Sequence, residues 1–138
     1  MNINNTDLEK IRNSTYFSSY DGHIVVHFQH DTITSFAILG MIFLEEKEKD
    51  PDNDLNDTLR HESGHLQQEK ELGTLKYFFV VGVPSVLYNL ASRDDDELRS
   101  QYYSMPWEYG ADKRAGIERP EHEPWAEREN YFYERIFW

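Results

Sequence analysis

DTLRHESGHLQQEKELG, residues 57–73, is the stretch on which the reading of this chain turns. It has no proline, it is rich in helix-forming residues, and it ends on Gly73, which suits a helix stop. Asn56 or Asp57 can cap its start, so the pattern predicts a helix from there to Gly73. On a helix, residues four apart share a face, which puts His61 and His65 side by side with Glu62 next to them. In His61-Glu62-Ser63-Gly64-His65 the two imidazoles can point at one metal ion, with Glu62 placed as a general base. Zinc accepts imidazole nitrogen and prefers four tetrahedral ligands; a catalytic site uses three from the protein and leaves the fourth place to water. After its first turn the helix has only Leu59, Leu66 and Leu72 as large apolar residues, so its face near Thr58, His61, Glu62 and His65 is polar. If that face is buried it needs partners, and a metal ion supplies one. The plainer alternative is an exposed helix carrying two surface histidines.

The rest of the composition narrows the chemistry. A chain of 138 residues fits one domain, expected here over 1–138 with a polar N-terminal arm (1–20) and a C-terminal extension (117–138) packing back on the body. The mean hydropathy of −0.78 requires the core to come from a few segments, and 23–28, 33–44 and 75–91 are the apolar ones. A net charge of −12 with scattered Lys and Arg argues against a nucleic-acid partner. There is no cysteine, which excludes disulfides, thiolate ligands and a cysteine nucleophile, so a transition metal must use histidine and carboxylate. The opening MNINNTDLEKIRN has no apolar core and does not read as a signal peptide, so a cytoplasmic location is the default expectation, with export by a non-classical or toxin-delivery route as the alternative. LKYFFVVGVPSVLYNLA (75–91) carries Lys76, Asn89 and an internal Gly82-Val83-Pro84; it reads as a buried helix pair or a bent helix rather than a stable membrane span.

Around the helix the pattern is that of an α+β domain. Residues 1–20 read as a short polar helix or arm ending in Tyr16, Phe17 and Tyr20, and Asp21-Gly22 as a turn. HIVVHFQH (23–30) reads as a strand, ITSFAILGMIFLEE (33–46) as containing a second, and the two as a hairpin, with Gly40 at a bulge or a close approach. Asp50, Asp52 and Asp54 alternate as in calcium loops, but the glycine and closing glutamate of such a loop are missing, so the acidic run reads as a solvated loop. Pro106 suits the first turn of a helix within 106–116. WAERENYFYERIFW, at the C-terminus, is expected to pack back onto the body.

The third ligand has to come from outside residues 57–73. In Trp107-Glu108-Tyr109-Gly110-Ala111-Asp112 a helix puts Glu108 and Asp112 on one face. Glu108 is the candidate ligand, and Asp112 the candidate acceptor that fixes a ligand imidazole. Rivals to Glu108 are His122 and the strand histidines His23, His27 and His30. A group that stabilises developing negative charge is also expected; Tyr109 and His122 are the leading candidates, with Tyr102, Tyr103 and Arg114 behind them.

HExxH followed by ExxxD resembles the gluzincin arrangement, in which two His and a Glu bind zinc. More narrowly, residues 57–85 resemble small bacterial metallopeptidase-like domains whose motif runs HEYGH, a glutamine three residues later, then LG, an apolar stretch and a Pro-Ser pair. The matching positions are His61 to His65, Gln68, Leu72-Gly73 and Pro84-Ser85, and WEYGADKRAG (107–116) resembles their closing segment. Ser63 departs from the pattern, where an aromatic is common. The likeness covers about residues 33–116. It implies a small zincin-like domain with a short sheet beside the metal helix, Gln68 together with Asp112 supporting the ligands from behind, and a Zn2+ peptidase acting on peptide or protein substrates. Some relatives are attached to large secreted or toxin-like proteins, so a toxin effector using the same chemistry is one biological role. The alternative of another class is a catalytically silent binding module that keeps the fold; retention of Glu62 disfavours it.

Overall fold

The computed structural model describes residues 15–46 and 55–138. Alternating β-branched and aromatic residues give a four-stranded mixed sheet: β1 (Tyr16–Tyr20), β2 (His23–Phe28), β3 (Phe36–Ile38) and β4 (Met41–Glu45), in the order β1-β2-β4-β3. Two tight hairpins close its ends. Asp21-Gly22 joins β1 to β2 and Leu39-Gly40 joins β3 to β4, each with positive φ at both residues. That backbone matches the right-handed twist of the strands it connects.

Three sequence expectations change here. The end of the N-terminal arm is a strand, because Asp21-Gly22 turns it back onto β2. Residues 23–30 and 33–46 do not form a hairpin with each other: β2 and β4 run parallel, with β3 folded back on the outside. Gly40 is a turn residue and not a bulge, and nothing lies within 4 Å of where its Cβ would be. Residues 1–14 and the alternating aspartates Asp50, Asp52 and Asp54 lie outside the described residues.

Among the described residues, five helices complete the α+β architecture. Helix α1 (Leu55–Leu72) ends at Gly73, whose φ of 83° breaks the run. Thr74–Ser92 is one continuous helix, α2, with a π-helical turn at Phe78–Gly82. It is neither a helix pair nor buried, since one of its faces is open. The short α3 (Asp96–Ser100) is capped by Asp95, whose Oδ1 accepts from the Leu98 N–H at 3.0 Å. A 3-10 turn at Tyr102–Ser104 leads into α4 (Pro106–Ala115). Gly116 stops α4 in the left-handed conformation, and the Ile117 N–H reaches back to the Asp112 carbonyl at 2.8 Å. Helix α5 (Ala126–Phe137) packs on α4. Arg114 clamps it, bonding Glu71 of α1 and Glu134 of α5 at 2.6 Å each.

Helix α1 is the centre of the molecule. One side lies on the sheet, where Leu66 joins Val25, Ala37, Ile42 and Leu44 in the core. Glu69 ties the same side to the β3–β4 turn through the backbone N–H groups of Leu39 and Gly40, at 2.7 and 2.8 Å. Its other side meets α4 almost backbone to backbone: a Cβ at Gly64 would lie 2.0 Å from the Ala111 carbonyl oxygen. No rotamer relieves that clash, so Gly64→Ala has to push the two helices apart. Overpacking of this kind costs about 1–3 kcal/mol or more. Chemical denaturation should show a clear loss of stability, and an unchanged midpoint would refute the close approach.

Candidate metal centre

His61 and His65 reach α4 because they stand one turn apart on the face of α1 that Gly64 brings against it. Both Nε2 atoms meet the same oxygen, Oε2 of Glu108, at 2.9 Å from His61 and 3.0 Å from His65. The two rings are edge to face, and Glu108 is fully buried. Each ring has its other nitrogen engaged. His61 Nδ1 lies 2.7 Å from Asp112 Oδ1, and His65 Nδ1 lies 2.8 Å from Gln68 Oε1. Asp112 is therefore one turn behind Glu108 and bonded to a candidate ligand, as its spacing predicts. Gln68 holds the other imidazole, and its Nε2 donates to the Trp107 carbonyl at 3.0 Å, tying the support to the start of α4.

This bonding fixes the chemistry. An acceptor on each Nδ1 places a proton there, so each Nε2 offers its lone pair. Two lone pairs and a carboxylate oxygen then converge on one point, a set of acceptors that only protons or a shared cation can reconcile. One atom from each of the three residues lies within 4.8 Å of the other two. Tetrahedral zinc with bonds of 2.0–2.1 Å sets its ligand atoms about 3.3 Å apart, near the 2.9 and 3.0 Å from Glu108 Oε2 to the two imidazole nitrogens. The donor set of two imidazoles and one carboxylate fits zinc.

Electrostatics follow from the burial. Desolvation pushes the Glu108 carboxyl up, but the two imidazoles outweigh it and hold that carboxyl well below the usual carboxylate range. Burial lowers His61, yet Asp112 and Glu108 raise it well above its ordinary value; His65 is raised by Glu108 against the same penalty. Asp112 is held low by His61 and Arg119 despite its own desolvation. Glu62 lies beside the cluster, and burial raises it. Its Oε2 is buried with no hydrogen-bond partner among the described residues.

The cluster opens on a cleft of about 640 Å³. Glu62 and His65 are part of its lining, the β3 segment is one side, and α2 is the other. Ser85, on α2, donates to Glu108 Oε1 in a very short hydrogen bond. Tyr102 also lines the cleft, and burial pushes its hydroxyl well above the ordinary range, so it remains a proton donor.

Several sequence candidates do not belong to this face. His122 bonds Asp112 Oδ2 at 2.8 Å, on the far side of Asp112 from His61, and Tyr109 packs edge-on against His122 in a separate hollow. Neither lines the cleft; Tyr102 does, with its hydroxyl against Ser85. Arg114 is committed to α5. His23 bonds the Gly40 carbonyl, His27 sits between Ser18 and Glu46, and the His30 ring accepts from Thr32 and Ile33. None of the three joins the cluster. Arg119 was not singled out by the sequence. It grips both Asp112 oxygens at 2.7 and 3.0 Å, reaches Asp57 at 2.7 Å, and lies 3.9 Å above the Tyr103 ring, which itself packs on His61. It sits in the irregular segment between α4 and α5, where no local pattern announces a partner.

These contacts rank the expected losses. Purified protein supplied with zinc at neutral pH should carry one ion per chain by elemental analysis. His61→Ala and His65→Ala should each abolish tight binding, and Glu108→Ala should weaken it severely. Asp112→Asn should cost about 10–100-fold in affinity, the usual loss when an outer partner of a ligand imidazole is removed. Protein that stays metal-free after supplementation would count decisively against the centre. Comparison with protein-family models, with curated proteins and with solved structures found no match to this chain.

Proposed function

We propose that this chain is a zinc-dependent peptidase of the HExxH, gluzincin-like type, with His61, His65 and Glu108 as metal ligands and Glu62 as general base. The observation that carries the reading is the convergence of two imidazole Nε2 atoms on one buried Glu108 oxygen, with both Nδ1 atoms already bonded elsewhere. When bound, zinc supplies Lewis acidity, polarising a carbonyl and making water a nucleophile at neutral pH.

The chain's own residues supply the rest. Glu62 takes one proton from the attacking water as its oxygen bonds to the carbonyl carbon; the same carboxyl gives that proton to the amine nitrogen as the C–N bond breaks. Burial raises the proton affinity of Glu62, which suits a group that must accept a proton and return it. Tyr102, whose hydroxyl meets Ser85 at the cleft wall, is the donor assigned to the developing oxyanion. Asp112 and Gln68 keep the two imidazoles in the tautomer that faces the metal.

The β3 edge is the natural support for an extended substrate. Ile38 and Met41 flank the two-residue turn, so Ala37, opposite Ile42, points its backbone groups away from β4. The Tyr77 hydroxyl already caps the Ala37 carbonyl at 2.7 Å. The Ala37 N–H is thus the edge group left to pair with a peptide, a shorter ladder than a fully open edge would give.

Glu62→Gln separates an enzyme from a binding module. The variant should keep its fold and its zinc while losing hydrolysis of a peptide library by at least about 10²-fold, the lower end of what a general base contributes. Equal cleavage by wild type and variant would refute the role of Glu62. Zinc-loaded wild type that cleaves nothing would turn the reading to a silent, metal-holding binding module.

A further inference from the structure

We propose that helix α2 and the β3–β4 turn form a membrane-docking face, which seats this protein on the surface of a phospholipid bilayer. The inference goes beyond the peptidase reading and does not depend on it. Leu75, Phe79 and Leu87 stand exposed on α2 at 73%, 63% and 61%, outside the cleft, and Phe78, Val86 and Leu90, also exposed, continue the apolar surface onto the adjoining cleft wall. A few lone surface leucines need no explanation, but a contiguous apolar stripe along the longest helical segment does.

Three observations choose a bilayer as the occupant. The first is charge. The chain holds 26 acidic residues, yet none lies between Glu71 and Asp94, and the charged residues inside that span are Lys76, which is exposed, and Arg93, which donates to the Thr32 carbonyl at 2.7 Å. An apolar run cleared of carboxylates suits acyl chains, and Lys76 can extend to the phosphate headgroups at one end of it.

The second is one-sidedness. By length and composition Thr74–Ser92 is long and apolar enough to cross a membrane. Its opposite face is nevertheless bonded to the protein: the Tyr77 hydroxyl to Ala37, Ser85 to Glu108, and the Tyr88 hydroxyl to the Leu98 carbonyl. A helix tied down along one side cannot be surrounded by lipid, so it lies in the interface with its open side immersed.

The third is Leu39. It occupies a turn position with φ of 56°, where Asn, Asp or Gly is the ordinary choice, and it is 65% exposed. A leucine there bears backbone strain and leaves most of its surface open to solvent. Its N–H is held by Glu69, near the end of α1, from which the chain passes through Gly73 to Leu75. The turn therefore extends the apolar face beside the start of α2.

The test is flotation of the full chain with phosphatidylcholine vesicles, since a net charge of −12 opposes anionic ones. Wild type should float with the vesicles at low and at high salt alike, because the contact is apolar. Phe79→Ser with Leu87→Ser should reduce partitioning by at least about tenfold while leaving the circular dichroism spectrum unchanged. Leu39→Asn should also weaken partitioning, but raise the melting temperature, because Asn tolerates the left-handed backbone. Failure of wild type to float overturns the proposal, as does a double variant that floats equally well. Wild type that forms a dimer broken by the double substitution, without floating, also overturns it and assigns the face to a second copy of the chain.

Discussion

A glycine decides where the helices of this protein can stand. Because residue 64 has no side chain, α1 and α4 approach until the Ala111 carbonyl occupies the space a Cβ would need. At that separation Glu108 reaches both imidazoles, and Asp112 reaches the far nitrogen of one of them. Any wider spacing would take both imidazoles from the buried Glu108 and leave its charge with the Ser85 hydroxyl alone among its described contacts, a severe loss for a buried ion. Burial and convergence are thus a single constraint: the carboxylate tolerates complete desolvation because two rings and the Ser85 hydroxyl meet it, and they meet it because the helices touch. Gly110, next to Ala111 on α4, repeats the theme: a Cβ there would strike the Asn130 and Gln68 side-chain amides.

The parts of the structure legible in the sequence share a physical origin: they are periodic and local. The span of α1, its stop at Gly73, the pairing of His61 with His65, and the Glu108–Asp112 spacing all follow from the pitch of a helix. Pro106 and Gly116 bracket α4 for equally local reasons. What escaped was set by tertiary contact. Strand composition could not say that β2 runs parallel to β4, since pairing direction depends on where β3 lies. Leucine is so uncommon at a turn position of positive φ that Leu39-Gly40 did not announce a reversal, and the single run 33–46 concealed two strands. The apolar segment 75–91 invited a buried assignment because composition records affinity for oil and not which neighbour provides it.

The site shows the same division. The spacing of the candidate ligands was readable because it is helical; the surrounding support was not. Arg119 and His122 come from the irregular stretch after α4, and both close on Asp112. Tyr109 follows Glu108 directly, and adjacent residues on a helix point about 100° apart, which turns it out of the cleft. Tyr102 reaches the cleft from the 3-10 turn, where no repeat predicts direction. Asp112 emerges as the hub: it positions His61 on one side and is itself held by a guanidinium and an imidazole on the other, so the order of the centre depends on a segment that has no regular structure.

The π-helical turn in α2 has a consequence for how such a chain can change over generations. Tyr77 and Ser85 both face the protein body, one capping the β3 edge and the other bonding Glu108. Eight residues of plain α-helix would set them about 80° apart, but a π turn absorbs one residue and brings them to within about 20°. The helix therefore carries, in effect, one extra residue lodged between its sheet-facing half and its Glu108-facing half. Removing a single codon within 78–82 would leave seven residues of plain α-helix between the same two side chains, again about 20° apart, so both contacts can outlast the loss of that residue. A second deletion would swing one half past the other by about 100°, so lineages that keep both contacts should vary here by that one residue in length and by no more.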